Sequence, residues 1–251
     1  MTEQLGLFDG RATGAAGHAA VPLRIRESLR ARRLTLRLLP PHTLELVVPR
    51  GTRAADVAAF VHEHSGWIER ARSEIAAHYA SGAGALPNRI DLPSIGRSWH
   101  VRYRRESGAA PKCRANGDVL EVTTRDAEHA AAPRLLRRWL LEQASLHLKP
   151  WLLREADIVG KRPNDVQVRL QRTRWGSCSS SANISLNAGL LFLEAPLVRY
   201  LMIHELCHLF ALNHSRRFWS AVARYEPDYE ELDRRLGAAW TEIPLWAHAR
   251  A

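Results

Sequence analysis

The chain has 251 residues, 46% apolar and 25% charged, which is enough to bury a substantial core and unlike a disordered or fibrous composition. The formal net charge is +10, and lysine occurs only at Lys112, Lys149 and Lys161, so arginine carries the excess; this suits an anionic partner or an arginine-biased solvated surface. Three cysteines (Cys113, Cys178, Cys207) without paired spacing argue against a disulfide framework. The expected setting is a reducing cytoplasm, with no signal peptide and no membrane span.

Residues 1–20, rich in Gly and Ala, read as a flexible arm. From Leu23 to Val48 apolar and charged residues alternate, through Leu34, Leu36 and Leu38 and then Leu44, Leu46 and Val48. With Pro40-Pro41-His42 between the last two runs, this predicts a strand, a second strand and a hairpin return. Thr52 is placed to cap a helix that starts near Arg53 and carries Val57, Phe60 and Val61 on one face. Helical pattern resumes through Trp67, Ile68, Ala71 and Ile75 until Ser81-Gly82-Ala83-Gly84 breaks it. Strands follow near Ser98–Arg104 and Val119–Thr123, with Asn116-Gly117 as the turn between them.

A long amphipathic helix over about Glu128 to Ala156 should turn Leu135, Leu136, Trp139, Leu140 and Leu146 to the core, with Pro150 kinking or dividing it. Val166, Val168 and Leu170 alternate toward Arg174, and Ile184-Ser185-Leu186 makes another short strand, one able to pair with an extended peptide if it lies at an edge. Pro196 opens a helix apolar on most sides, which should therefore be central. Shorter helices are expected near Ser215–Tyr225 and Asp228–Ala239. The break near 125 separates a strand-rich α+β region (21–125) from a second region (126–240) and a C-terminal tail (241–251).

His204-Glu205-Leu206-Cys207-His208 puts two imidazoles one turn apart on one helix face, able to share one metal ion. His214 is spaced to fold a third nitrogen back, Asn213 being tolerant of the left-handed backbone that would end the helix just before it. Three neutral nitrogens leave a fourth position for water, with Glu205 beside it as general base. That is the outline of a hydrolytic site holding one Zn2+. Glu226 or Glu230 is the alternative third ligand. Ala211, where metzincin proteases carry glycine, and the lack of a following methionine disfavour that fold.

Around the centre, Arg172 and Arg174 would share a face if a strand continues there, binding a substrate phosphate or carboxylate or pairing with scaffold acids. Asn187 orients a ligand or a loop, Gly176 permits a tight bend, and Cys178 and Cys207 read as packing residues. Trp175 and Trp219 read as core or pocket wall. One of Glu226, Asp228, Glu230, Glu231 and Asp233 could accept the second ring proton of a ligand histidine. A non-enzymatic rival is a nucleic-acid-binding module with a structural metal, resting on Arg24, Arg26, Arg30, Arg32, Arg33 and Arg37.

The residues Arg174-Trp175-Gly176-Ser177-Cys178, Asn183-Ile184-Ser185-Leu186-Asn187, Tyr200, the His204–His208 motif, Asn213-His214-Ser215, Phe218-Trp219 and Pro227-Asp228-Tyr229 resemble the YgjP-like metal-dependent hydrolases. Val48-Pro49-Arg50-Gly51 and Trp67-Ile68 extend the likeness to roughly residues 21 to 240. The resemblance implies an α+β zincin-like core, related in plan to SprT-like proteases, with the motif helix beside a small antiparallel sheet. It implies His204, His208 and His214 as zinc ligands and Glu205 as catalyst. Two substrate classes attach to it: peptide or protein, and nucleoside triphosphate, notably UTP.

Overall fold

The computed structural model describes residues 23–248 apart from 30, 40–42, 71–72 and 74–85, with backbone alone at 37–39 and 43. The Pro40-Pro41-His42 turn, Arg30, Ala71, Ile75 and the 81–84 break lie outside the described residues. Strands β1 (Leu23–Ser28), β2 (Thr35–Leu39) and β3 (Thr43–Pro49) form one sheet in the order β1-β3-β2. β2 and β3 pair antiparallel as the expected hairpin, and β1 lies parallel to β3. Leu44, Leu46, Val47 and Val48 are buried, and Leu44 packs with Ile68, Leu23, Leu36 and Val61 in a small satellite cluster. Helix α1 (Ala54–Glu63) starts where expected, but Arg53 is its cap residue. The Thr52 hydroxyl instead donates to Pro49 O at 2.7 Å, closing the turn out of β3.

The second sheet contains β4 (Arg89–Leu92), β5 (Arg97–Arg105), β6 (Lys112–Asn116) and β7 (Val119–Thr124) in the order β4-β5-β7-β6. Asn116-Gly117 joins β6 to β7, Gly117 taking φ +57°, and not β5 to β7, which run parallel. Helix α2 (Ala132–Val159) buries Leu136, Trp139, Leu140, Ala144, Leu148, Leu152 and Ala156 against this sheet and the motif helix. It begins at Ala132 rather than near Glu128, and Leu146 is 63% exposed, so the apolar stripe passes that position by. Pro150 stays inside a continuous helix. The hydrogen bond it cannot make falls at Leu146, on the exposed side of the helix, where the carbonyl is not shut away from solvent.

The third sheet positions the site. β8 (Asp165–Arg169), β9 (Gly176–Cys178) and β10 (Asn183–Asn187) are ordered β8-β10-β9. β10 pairs antiparallel with β9 but parallel with β8, so the expected purely antiparallel sheet is corrected to a mixed one. The cause is the 170–175 segment, which reverses the chain across a gap one strand wide that β10 then fills. β10 is therefore the middle strand, and the free edge expected at Ile184–Leu186 belongs to β9 instead.

Helix α3 (Ala195–Cys207), opened by Pro196, is central as its composition requires: Leu197, Val198, Tyr200, Leu201, Met202, Ile203, Leu206 and Cys207 are all buried. Each buried Leu, Ile or Val contributes about 1.5–3 kcal/mol of gross transfer free energy, offset by the entropy of ordering. α3 packs on α2, on β9, and on two later helices, α4 (Arg216–Tyr225) and α5 (Tyr229–Ala238). Among the described residues one large core runs from Ile90 to Ala247 and includes Trp246 and Ile243. No helix of the described residues is long and apolar enough to cross a membrane.

Candidate metal centre

His204 and Glu205 lie in the last turn of α3, and His208 is its C-cap residue. The helix stops there because the chain tightens: Leu209 N–H bonds Leu206 O and Phe210 N–H bonds Cys207 O, each at 3.0 Å. The helix therefore ends well before Asn213, which has no positive φ. The left-handed residue expected at Asn213 is not what turns the chain; the tightened turn does so first. The following irregular stretch brings His214 back over the helix end, and Ser215 is the cap residue of α4.

One nitrogen from each of His204, His208 and His214 falls within 4.8 Å of the other two. His204 Nε2 and His214 Nε2 are 3.1 Å apart. Two Zn–N bonds of about 2.1 Å at a tetrahedral angle separate their nitrogens by about 3.4 Å, so the spacing suits one shared ion. His208 Nδ1 lies 3.1 Å from Ala211 O, which fixes Nδ1 as the protonated atom and leaves the Nε2 lone pair for an ion. Burial, with the neighbouring His208 and His214, pushes His204 down to about 4, so the ring is neutral near pH 7 and able to ligate. Burial also lowers His208, opposed by its bond to Ala211.

Glu205 is 5% exposed, and its Oε2 has no hydrogen-bond partner among the described residues. Burial raises the carboxyl to about 8, opposed by the charge of Arg174. Gly176 explains how the acid is enclosed. A Cβ there would sit 2.6 Å from Glu205 Oε1 and 2.9 Å from its Cγ. The glycine is needed for close approach, not for the bend expected from sequence, since its φ is not positive. Cys178, two residues along β9, is half-buried and raised to about 11 by burial and by Glu205, and it stands outside the cluster that could hold an ion. Cys207 is fully buried.

β9 presents an open edge over this acid. Asn187 N–H bonds Trp175 O at 2.8 Å and Ser179 N–H bonds Asn183 O at 2.9 Å. With Gly176 opposite Leu186 and Cys178 opposite Ile184, antiparallel alternation turns the N–H and C=O of Gly176 and Cys178 away from β10. No other strand covers that side among the described residues.

The remaining sequence candidates separate. β8 ends at Arg169, so Arg172 and Arg174 are not on one strand face. Arg174 is exposed and is the charge felt by Glu205, whereas Arg172 is half-buried with an Nε that has no partner among the described residues. Asn187 is 1% exposed: its Nδ2 donates to Gln171 O and Arg174 O, each at 2.9 Å, and its Oδ1 accepts from Gly189 N–H at 3.0 Å. It pins the loop that leads into β9. Glu226 is engaged with Arg199, which also pairs with Glu155 on α2 at 3.3 Å, and Glu230 accepts from Tyr229. Neither acid is in the cluster that could hold an ion. In the N-terminal arginine run, Arg26 pairs with Glu45 at 3.2 Å.

Residues that sequence reasoning left in general roles stand directly behind the histidines. Tyr200 Oη lies 3.5 Å from His204 Nδ1 and donates to Asp233 Oδ1 at 2.7 Å. The Trp219 ring stacks on His214, and Phe218 stacks on His208. The signal for Tyr200 was its position one turn before His204 on the same face of α3.

No curated protein matches the chain. Among solved structures it is similar to the metallopeptidase zymogen abylysin of Pyrococcus abyssi, at 29% identity over 36% of this chain and 92% of that one, with a TM-score of 0.34. It is also similar to the metallopeptidase zymogen jannalysin of Methanocaldococcus jannaschii, at 16% identity over 36% of this chain and 94% of that one, with a TM-score of 0.33. The pattern of the YgjP-like metallopeptidase domain matches residues 32–239, most of the chain. A mixed α+β protein whose motif helix gathers three imidazoles beside a buried acid, this chain belongs to the YgjP-like metallopeptidase family.

Proposed function

We propose that the chain is a zinc-dependent peptidase of zincin type, with His204, His208 and His214 holding one ion and Glu205 acting as general base on the attacking water. The observation that carries this reading is the convergence of three imidazole nitrogens, within 4.8 Å of one another, next to a buried carboxylate with a free oxygen. The donor set fits the ion: all three donors are nitrogens, no fourth protein ligand closes the group among the described residues, and burial keeps His204 neutral. When bound, zinc supplies Lewis acidity, lowering the pKa of a water and polarising the scissile carbonyl.

The chain's own residues supply the rest. Glu205 takes the proton of the attacking water and returns it to the leaving amine, and its buried Oε2, without a hydrogen-bond partner among the described residues, is the atom left to carry it. An extended peptide pairs with the outward N–H and C=O groups of Gly176 and Cys178, which lays its backbone across Glu205. Arg174 is the substrate-facing cation, suited to a carboxylate on the peptide, with Arg172 behind it. Asn187 acts on substrate only through the loop it holds. The catalytic region on this reading runs over about 126–240, with 21–125 as its companion.

The test uses the zinc-loaded full chain and an unfolded, fluorescence-quenched peptide. Glu205→Gln should keep stoichiometric zinc and lose about 10²–10⁴-fold in turnover. Intact peptide with a fully zinc-loaded wild type would overturn the reading, as would cleavage of UTP that depends on Glu205 while the peptide stays whole.

A further inference from the structure

Helix α5 is amphipathic, and its first turn and the next place Tyr229 and Asp233 one above the other on one face. Each reaches a different metal-holding histidine through one intermediary. Asp233 Oδ1 accepts the hydroxyl of Tyr200 at 2.7 Å, and Tyr200 Oη faces His204 Nδ1 at 3.5 Å. The Tyr229 ring stacks on Trp219, with centroids 5.1 Å apart and planes 21° apart, and Trp219 stacks on His214 at 5.6 Å and 26°. Farther along the same helix, Leu236 O accepts Trp175 Nε1–H at 3.0 Å, fixing the residue that leads into Gly176.

We infer that α5 is the backing of the metal centre, with Asp233 and Tyr229 as positioning residues that set His204 through Tyr200 and His214 through Trp219. The inference rests on the metal reading above and adds residues that touch neither ion nor substrate.

The first arm works through hydrogen count. A tyrosine hydroxyl has one proton, and here it goes to the Asp233 carboxylate. The lone pairs of Tyr200 Oη are what remain toward His204, so the ring is held best when Nδ1 carries its proton and Nε2 keeps its lone pair. Nε2 is the atom that stands 3.1 Å from His214 Nε2. Without Asp233 the Tyr200 proton is free to turn toward His204, which favours the other tautomer and points an N–H at the ion's place. Tyr200 is completely buried, so no water substitutes for it readily. The second arm works through shape. His214 is exposed and comes from an irregular stretch with no helix to fix its ring. A stack of His214, Trp219 and Tyr229 holds that plane at little entropic cost, because Trp219 and Tyr229 are both carried on helices.

The experiment measures zinc affinity of the ion-free full chain by competition with a chromophoric chelator, alongside thermal unfolding of the ion-free form. Tyr200→Phe keeps the ring and should weaken zinc binding by about 10–100-fold. Asp233→Ala, at an exposed position, should weaken it several-fold, and the double variant should be no weaker than Tyr200→Phe alone, because both act on one arm. Tyr229→Leu acts on the other arm, so its loss should multiply with that of Tyr200→Phe. Nitrogen chemical shifts of His204 should change from Nδ1-protonated to mixed in Asp233→Ala without loss of fold. Zinc affinity within twofold of wild type in both Tyr200→Phe and Asp233→Ala, or an unchanged tautomer, would overturn the inference while leaving the metal centre standing. A wild type that takes up no zinc would overturn both, and shows itself before any variant is made.

Discussion

Gly176→Ala tests the closeness of β9 and the acid directly. The added Cβ would lie 2.6 Å from Glu205 Oε1, 2.9 Å from Cγ and 3.0 Å from Cδ. Ordinary contact begins at 3.4 Å, so the carboxylate must move by roughly 0.8 Å. Turning the end of the side chain is not enough, because Cγ is crowded too and Glu205 is 5% exposed. Overpacking of this kind in a well-packed site costs about 1–3 kcal/mol, so the variant should still fold. A catalytic group misplaced by about 1 Å costs about 10²-fold in rate, which is the loss expected in kcat/KM. The three atoms nearest the added Cβ all belong to Glu205 and none to an imidazole, so zinc content should stay stoichiometric. The assay is peptide cleavage by zinc-loaded protein, with metal analysis and thermal unfolding on the same sample. A folded, zinc-loaded Gly176→Ala protein with wild-type kcat/KM would refute the argument.

His214→Ala should lose stoichiometric zinc by metal analysis, whereas Glu226→Ala should keep it and instead lower the unfolding temperature, because it leaves Arg199 with Glu155 alone. In the ion-free chain, Glu205 has a folded-state pKa of about 8, above its unfolded value, so its contribution is complete at low pH and is lost as pH rises through 8. His204 is depressed to about 4 and acts in the opposite sense, its contribution being lost as pH falls below the unfolded value of about 6.5. Between pH 6.5 and 8 Glu205 acts alone of these two, and chemical denaturation should show ion-free stability falling by about 2 kcal/mol across that window. Saturating zinc at about 100 times its Kd should add about 2.7 kcal/mol, and a chelator should remove it.

What the sequence makes legible is local. The His204–His208 spacing and the apolar positions of α3 follow from helical periodicity, so the motif helix and its burial can be read from residue order alone. His214 follows closely enough in sequence for the stretch after the helix to bring its ring beside the other two. What is not legible depends on residues distant in sequence. β4 alternates buried and exposed residues but is only four residues long, too short to announce itself, and β6 is mostly exposed with little apolar alternation. That β7 runs parallel to β5, or that β10 enters between β8 and β9, is decided by the whole sheet. The role of Gly176 is hidden because its neighbour Glu205 arrives from another element. Leu146 reads as a core residue because a stripe extrapolated along a 28-residue helix drifts around the cylinder.

β9 is three residues long, and only Gly176 and Cys178 turn their peptide groups outward. So brief a platform grips main chain over a span of roughly 7–10 Å and reads almost nothing of the side chains beyond it. A segment can dock there only if its own peptide groups are unclaimed. On the proposed reading, folded domains, whose strands are already paired, would be spared, while loops, tails and unravelled chains would be admitted. Selection by such a protease would then rest on the conformational state of its target more than on the letters of its sequence.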